Sequence, residues 1–253
     1  MPFSLIDILA LLTFISLWYG YSVFARKKAK TTDCIAYTLQ QHRIQWMQEI
    51  ITREARVSDT NLLANLERNI AFFASSTLLI LAGIFTLFAQ VETLERVIAS
   101  LPFAVEVDHL AIQLKLAVLS IIFVISFFQF TWSMRQYGFV NVMIGAAPSM
   151  TNSTKDQENI KAYAKEMAVV QDQAAHSYNY GLRSYYFALA EISWFLHPIL
   201  FVGLSLWVVF TLYTREFNSR AVKAMTKAKV LLHQQTANLN TSNTKTTLVN
   251  DDK

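Results

Sequence analysis

The stretch GLRSYYFALAEISWFLHP, residues 181–198, decides how this chain is read. It sets Arg183, Glu191 and His197 on a segment otherwise apolar and aromatic enough to sit in lipid. An ionisable side chain at membrane depth is expensive, so it pairs inside the protein or lines a wet path. The residues on either side read as what carries and surrounds that segment.

Of 253 residues, 53% are hydrophobic and 16% charged, against about 25% charged in soluble domains. The apolar residues are gathered into blocks. Ile8–Ala25, Ile70–Ala89 and Leu116–Trp132 hold no charge, and Ile192–Tyr213 carries His197 but no Asp, Glu, Lys or Arg. About 20 such residues cross the hydrocarbon core. Four blocks therefore predict an all-α, polytopic helical membrane protein with transmembrane helices at about 5–25, 68–90, 110–132 and 188–213. Residues 1–215 form one four-span membrane domain, with cytoplasmic amphipathic helices at about 33–57 and 155–180. Residues 216–253 read as a basic helical segment running into a disordered Thr/Asn-rich tail.

Several function classes are disfavoured. The first block has no preceding positive residue and no small-residue cleavage site, so it reads as a span and not as a cleaved leader. A single cysteine, Cys34, allows neither an internal disulfide nor a cysteine metal cluster. The net charge of +4 comes from basic residues flanking spans, which topology explains better than nucleic acid does. No nucleophile elbow, phosphate-binding glycine loop or His/carboxylate set at metal spacing is present, so no enzyme, cofactor or metal is expected. Six glycines give little support to a selectivity-filter loop.

Between the spans, Ser58–Asn61 reads as an N-cap cluster. Ser75 and Ser76 suit close helix–helix approach in lipid. Gln90–Asp108 is acidic and reads as an outer loop, while Tyr137–Pro148 reads as a short apolar piece packed against the inner mouth of the bundle. Asn152 or Ser153 is placed to cap the polar helix that follows.

Charge distribution raises a conflict. Residues 26–68 hold eight Lys/Arg and residues 133–183 hold five, which puts both inside and the N-terminus outside. Four spans then send the C-terminus outside, yet Arg215, Arg220, Lys223, Lys227 and Lys229 make it basic. Either the first helix dominates or the span count is off by one; four are kept.

In the polar constellation, Arg183 and Glu191 share a helix face but lie about 12 Å apart. A partner for ionised Glu191 must therefore come from another helix, with Arg135, Arg68 and Lys115 as candidates; otherwise Glu191 holds its proton. Arg183 and Arg135 read as interfacial anchors or as a cationic inner mouth. Lys115 reads as snorkelling outward along its stem. His197 reads as a hydrogen-bonded residue at a Pro198 kink or as a relay, and Pro198 frees a carbonyl near Trp194.

Arg43–Ile44–Gln45–Trp46, Asn69–Ser76 (NIAFFASS), Tyr137–Pro148 and Gly181–Pro198 together resemble the family catalogued as domain of unknown function 599. These are uncharacterised multi-pass membrane proteins of bacteria with relatives in plants. The resemblance covers about residues 5–215 and implies a helical membrane protein without implying an activity.

The leading expectation is a homo-oligomeric channel or transporter for a small solute or ion, in the bilayer of a bacterial inner membrane. Arg183, Glu191, His197, Arg135 and Lys115 would form its path. The alternative is a non-transporting scaffold that docks partners through helices 33–57 and 155–180.

Overall fold

The computed structural model describes residues 4–29, 31–100, 108–148, 154–231 and 234. Chain order gives α1 (Leu5–Lys28), α2 (Ile35–Thr52), α3 (Val57–Ala89), α4 (Val91–Ala99), α5 (His109–Ala146), α6 (Thr154–Ile192) and α7 (Pro198–Asn218). Residues 220–231 are helical again past Ser219. No strand occurs among the described residues. Leu5–Lys28, Val57–Ala89, His109–Ala146 and Pro198–Leu231 are each long and apolar enough to cross a membrane.

Local chemistry sets the helix ends. Ser4 and Asp7 close a reciprocal capping box at the start of α1, and Arg26, Lys27 and Lys28 in its last turn complement the helix dipole. The terminal carbonyl of α5 at Ile144, and that of Ala147, accept from Arg56 at 2.8 and 3.4 Å, which satisfies groups a helix end leaves open. Pro198 opens α7, where its missing N–H and fixed φ cost nothing.

Side-chain contacts fix the directions of the long helices. Along α5 and α6 they run in opposite order. Lys115 meets Trp194, and the rings of Phe123 and Tyr185 sit 5.2 Å apart. Ser133 donates to the Ala174 carbonyl at 2.6 Å, and Tyr163 to that of Met143 at 3.1 Å. The pair is thus one long antiparallel hairpin. Helix α7 turns back along α6, with Trp194 stacked on Phe201 and Arg215 donating to the Tyr186 hydroxyl. Helices α3 and α6 point one way, sharing Thr77 and Tyr185 at 2.7 Å, while α1, α5 and α7 point the other.

Two apolar clusters fill the bundle. One joins Phe14, Phe187, Trp194 and Phe201 at the end where α1 begins. The other joins Met47, Ile50, Phe130, Val140 and Met167 toward the opposite end. There α2 is tied to α6 by Arg43 and Asp172 at 2.6 Å. The basic C-terminal segment lies on that same end. Lys229 pairs with Asp33 at 2.9 Å, and Glu216 accepts from the Ala36 N–H at 3.0 Å.

Several sequence expectations change. The span expected over 188–213 is not one helix: α6 runs unbroken to Ile192, a 3-10 turn covers Ser193–Phe195, and α7 starts at Pro198. Pro198 begins a helix instead of kinking one. The helix expected over 155–180 is the lower part of α6, whose apolar upper part lies beside the apolar half of α5. Tyr137–Ala146 is the last part of α5, carried by the same 3.6-residue periodicity, and not a separate piece. Residues 91–99 of the acidic segment form α4, which buries Val91 and Ile98. Ser58–Asn61 does not cap α3. The helix starts at Val57, and the buried Asp59 accepts from Arg53 at 2.6 Å and from Trp46 at 2.8 Å. Asn152, Ser153, Glu106 and the tail beyond Gln234 lie outside the described residues.

Candidate functional site

A charged cluster lies inside the end of the bundle where α1 starts. Lys115 sits six residues beyond His109 in α5, about 9 Å along the helix. It is only 2% exposed, and its ammonium donates to the Trp194 carbonyl at 2.8 Å. The same ammonium lies 5.2 Å from the centre of the Trp194 ring, within cation–π range. Glu191, in the last turn of α6, is 0% exposed. Neither of its oxygens has a hydrogen-bond partner, and no cation lies within salt-bridge distance of it among the described residues. Lys115 is the charged group that acts on it from across the helix pair. Asp7 completes the set by accepting from the Trp194 indole N–H at 2.8 Å while holding its capping box.

The sequence explains this assembly. A 3-10 turn follows Ile192, and it presents the Trp194 carbonyl to Lys115. The indole brings Asp7 in from α1, and the rings of Phe14 and Phe201 close over the group at 4.8 Å from each other. Lys115 and Glu191 are buried, so their charges interact more strongly than they would at a surface, while Asp7 is partly exposed. A buried carboxylate without a donor is uncommon and calls for an explanation.

Of the residues expected in one path, the structure brings Glu191 and Lys115 together. Arg183 lies lower on α6, over the rings of Tyr21 and Tyr180 and 4.0 Å from Glu216. Arg135 is exposed on α5 over the Phe139 ring, so the two arginines form no common mouth. His197 caps α7, its Nδ1 accepting from the Ile199 N–H at 3.1 Å, and is no relay from Glu191 in this geometry. Arg68 is exposed and donates to Asn65. Lys115 does not snorkel, because a carbonyl, an aromatic face and two carboxylates hold it inward. Ser75 is exposed and Ser76 half-buried; the packed face of α3 runs through Ile70, Ala74, Thr77, Leu81 and Ile84.

Asp7 and Trp194 escaped sequence reasoning as site residues. Their positions at opposite ends of the chain hid the contact, and only the open carbonyl before Pro198 hinted at Trp194. Among the described residues no group of three or more His, Cys, Asp or Glu is placed to hold a metal ion.

The helices and the buried cluster define a polytopic helical membrane protein with ionisable groups held inside the bundle. The chain belongs to the family described as Protein of unknown function, DUF599, whose model matches residues 9–221. No curated protein and no solved structure matches the chain.

Proposed function

We propose that this protein is a membrane transporter for a small solute or ion, acting as a homo-oligomer in a bacterial inner membrane. Its Lys115–Glu191–Asp7 cluster exchanges a proton during the cycle. The observation that carries this reading is Glu191, wholly buried with both oxygens unsatisfied. A carboxylate that served only to fix helix register would be hydrogen-bonded. The turn between α6 and α7 adds support, since it brings the Trp194 carbonyl to the Lys115 ammonium. Glu191 would take up a proton, and Lys115 would shift between the Trp194 carbonyl and the carboxylate. Proteoliposomes loaded with a pH-sensitive dye and given a potassium diffusion potential test the idea. Wild-type protein should acidify the lumen faster than protein-free vesicles, and Glu191→Gln should not. Equal rates for the two proteins would remove Glu191 from the cycle.

A second reading, a membrane scaffold, has one observation in its favour. Past Trp132 the α5–α6 hairpin continues for about 21 Å as a rigid stalk braced by α2. Under that reading, partner capture depends on the stalk, and Glu191→Gln leaves it unchanged.

A further inference from the structure

The charge-free stretch of α1 ends at Arg26, and that of α5 ends at Trp132. At that level the two helices flank a cleft of about 420 Å³ whose floor is α6. Gln136, Gln173, His176 and Ser177 line it between Arg26 and Trp132. We propose that this cleft binds the headgroup of an anionic phospholipid from the leaflet on the basic side of the bundle, with Arg26 facing the phosphate.

Depth is the first argument. At this cleft α1 passes from its apolar stretch to Arg26, Lys27 and Lys28, and α5 reaches Arg135 three residues past the 49% exposed Trp132, an aromatic suited to the membrane–water boundary. Charge is the second. The Arg26 guanidinium has five donors, and the bonds seen for it go to one neutral acceptor, the Tyr180 hydroxyl, from Nε at 3.0 Å and Nη2 at 2.6 Å. No carboxylate lies within 4.0 Å of Arg26 among the described residues. The acid in the cleft wall, Asp172, is already engaged by Arg43 at 2.6 Å and does not offset the guanidinium. His176, Gln173 and Ser177 bring neutral hydrogen-bonding groups to the same space.

The third argument separates a lipid from a soluble anion. From Trp132 the outward face of α5 continues into the membrane as Phe128, Ile125, Val124 and Ile121, all exposed and all apolar. These positions share one helix face. A headgroup in the cleft would thus have its acyl chains laid along that stripe, whereas a free phosphate would gain nothing from it. Basic pockets between membrane helices on the cytoplasmic side are known to take anionic headgroups in this way.

The experiment uses the full chain in phosphatidylcholine nanodiscs titrated with brominated-chain phosphatidylglycerol, read by tryptophan fluorescence. Wild type should show a saturable component above the gradual quench of the lipid-exposed Trp207, and Trp132→Phe should lose that component. Arg26→Gln should need about fivefold more phosphatidylglycerol, the size of one basic contact to an anionic lipid. Lys27→Gln, one residue away and outside the cleft, should titrate as wild type. If Arg26→Gln does not fold, the wild-type and Trp132→Phe titrations still decide. A saturable component that persists in Trp132→Phe, an unshifted Arg26→Gln or an equal loss in Lys27→Gln overturns the site. So does the same quench from brominated phosphatidylcholine. Reversal of the wild-type quench by inorganic phosphate, with no effect of chain length, would assign the cleft to a soluble anion and overturn the lipid.

Discussion

The ammonium of Lys115 on α5 donates to the backbone carbonyl of Trp194 at 2.8 Å, in the 3-10 turn that follows α6. That bond holds a buried cation at the same end of the bundle as Glu191. Lys115→Met removes the cation and leaves the carboxylate without a counter-charge. Losing the charge-assisted hydrogen bond to the Trp194 carbonyl costs about 1.5–3 kcal/mol. Unfolding of the purified protein in mixed micelles should register that loss. The double variant Lys115→Met/Glu191→Met should cost less than the sum of the two singles, because each charge is dear chiefly without the other. Additive losses would show that the two groups do not interact.

Gly181 faces the ring of Phe130 so closely that a Cβ there would stand 2.5 Å from its Cε1. The ring cannot step aside freely. It is 0% exposed, with Phe73 stacked at 5.5 Å and Tyr178 and Tyr185 at 5.9 and 5.7 Å. Gly181→Ala should therefore destabilise the α5–α6 hairpin by about 1–3 kcal/mol, as overpacking does. Phe130→Leu in the same chain should return part of the loss, and thermal unfolding of the three variants decides it.

These two sites show what sequence could and could not disclose. Charge-free blocks of membrane length exposed the spans, because lipid demands an unbroken apolar run whatever it packs against. Glu191 stood out for the same reason. Its neighbours did not. Lys115 and Asp7 each sit near a span end, where outward snorkelling and burial look alike, and only packing of Trp194 against α1 selects burial. Helix α6 was divided at residue 180 because its polar lower part hides its upper part from any average taken along the chain.

Cys34 lies between α1 and α2, fully buried, with its sulfur accepting from the Tyr37 N–H at 3.4 Å. Burial pushes its thiol above the ordinary value, with Glu216 adding in the same direction. The native thiol thus keeps its proton where the unfolded one, near pH 8.5, loses it. The resulting stability is intact below that pH and is lost as pH rises through the folded value. Alkylation of native protein at pH 8 should be slow and should become complete on denaturation. Cys34→Ala should lessen the fall in stability at alkaline pH. Rapid native labelling would mean that the α1–α2 connection opens readily.

The C-terminal segment gives the most direct test of the bundle. Asp33 pairs with Lys229 at 2.9 Å, the Ala36 N–H donates to Glu216 at 3.0 Å, and His42 lies 3.3 Å from the Met225 carbonyl. Groups in such contact cannot be on opposite sides of a membrane, whichever way the protein is inserted. An even number of crossings must then separate residue 28 from residue 216, and counting α6 with α3, α5 and α7 would supply it. Helix α6 is polar in its lower part and is not one of the four long apolar helices, but its apolar upper part lies among α1, α5 and α7, so the packing predicts that it crosses with them. A compartment-sensing reporter fused after Lys253 should read the same side as one inserted between Ala29 and Asp33. A cysteine introduced at Glu95 should be reached by an impermeant reagent from the other side. Opposite readings from the first two reporters would break the packing of α7 on α6, and with it the placement of Glu191 inside the bundle.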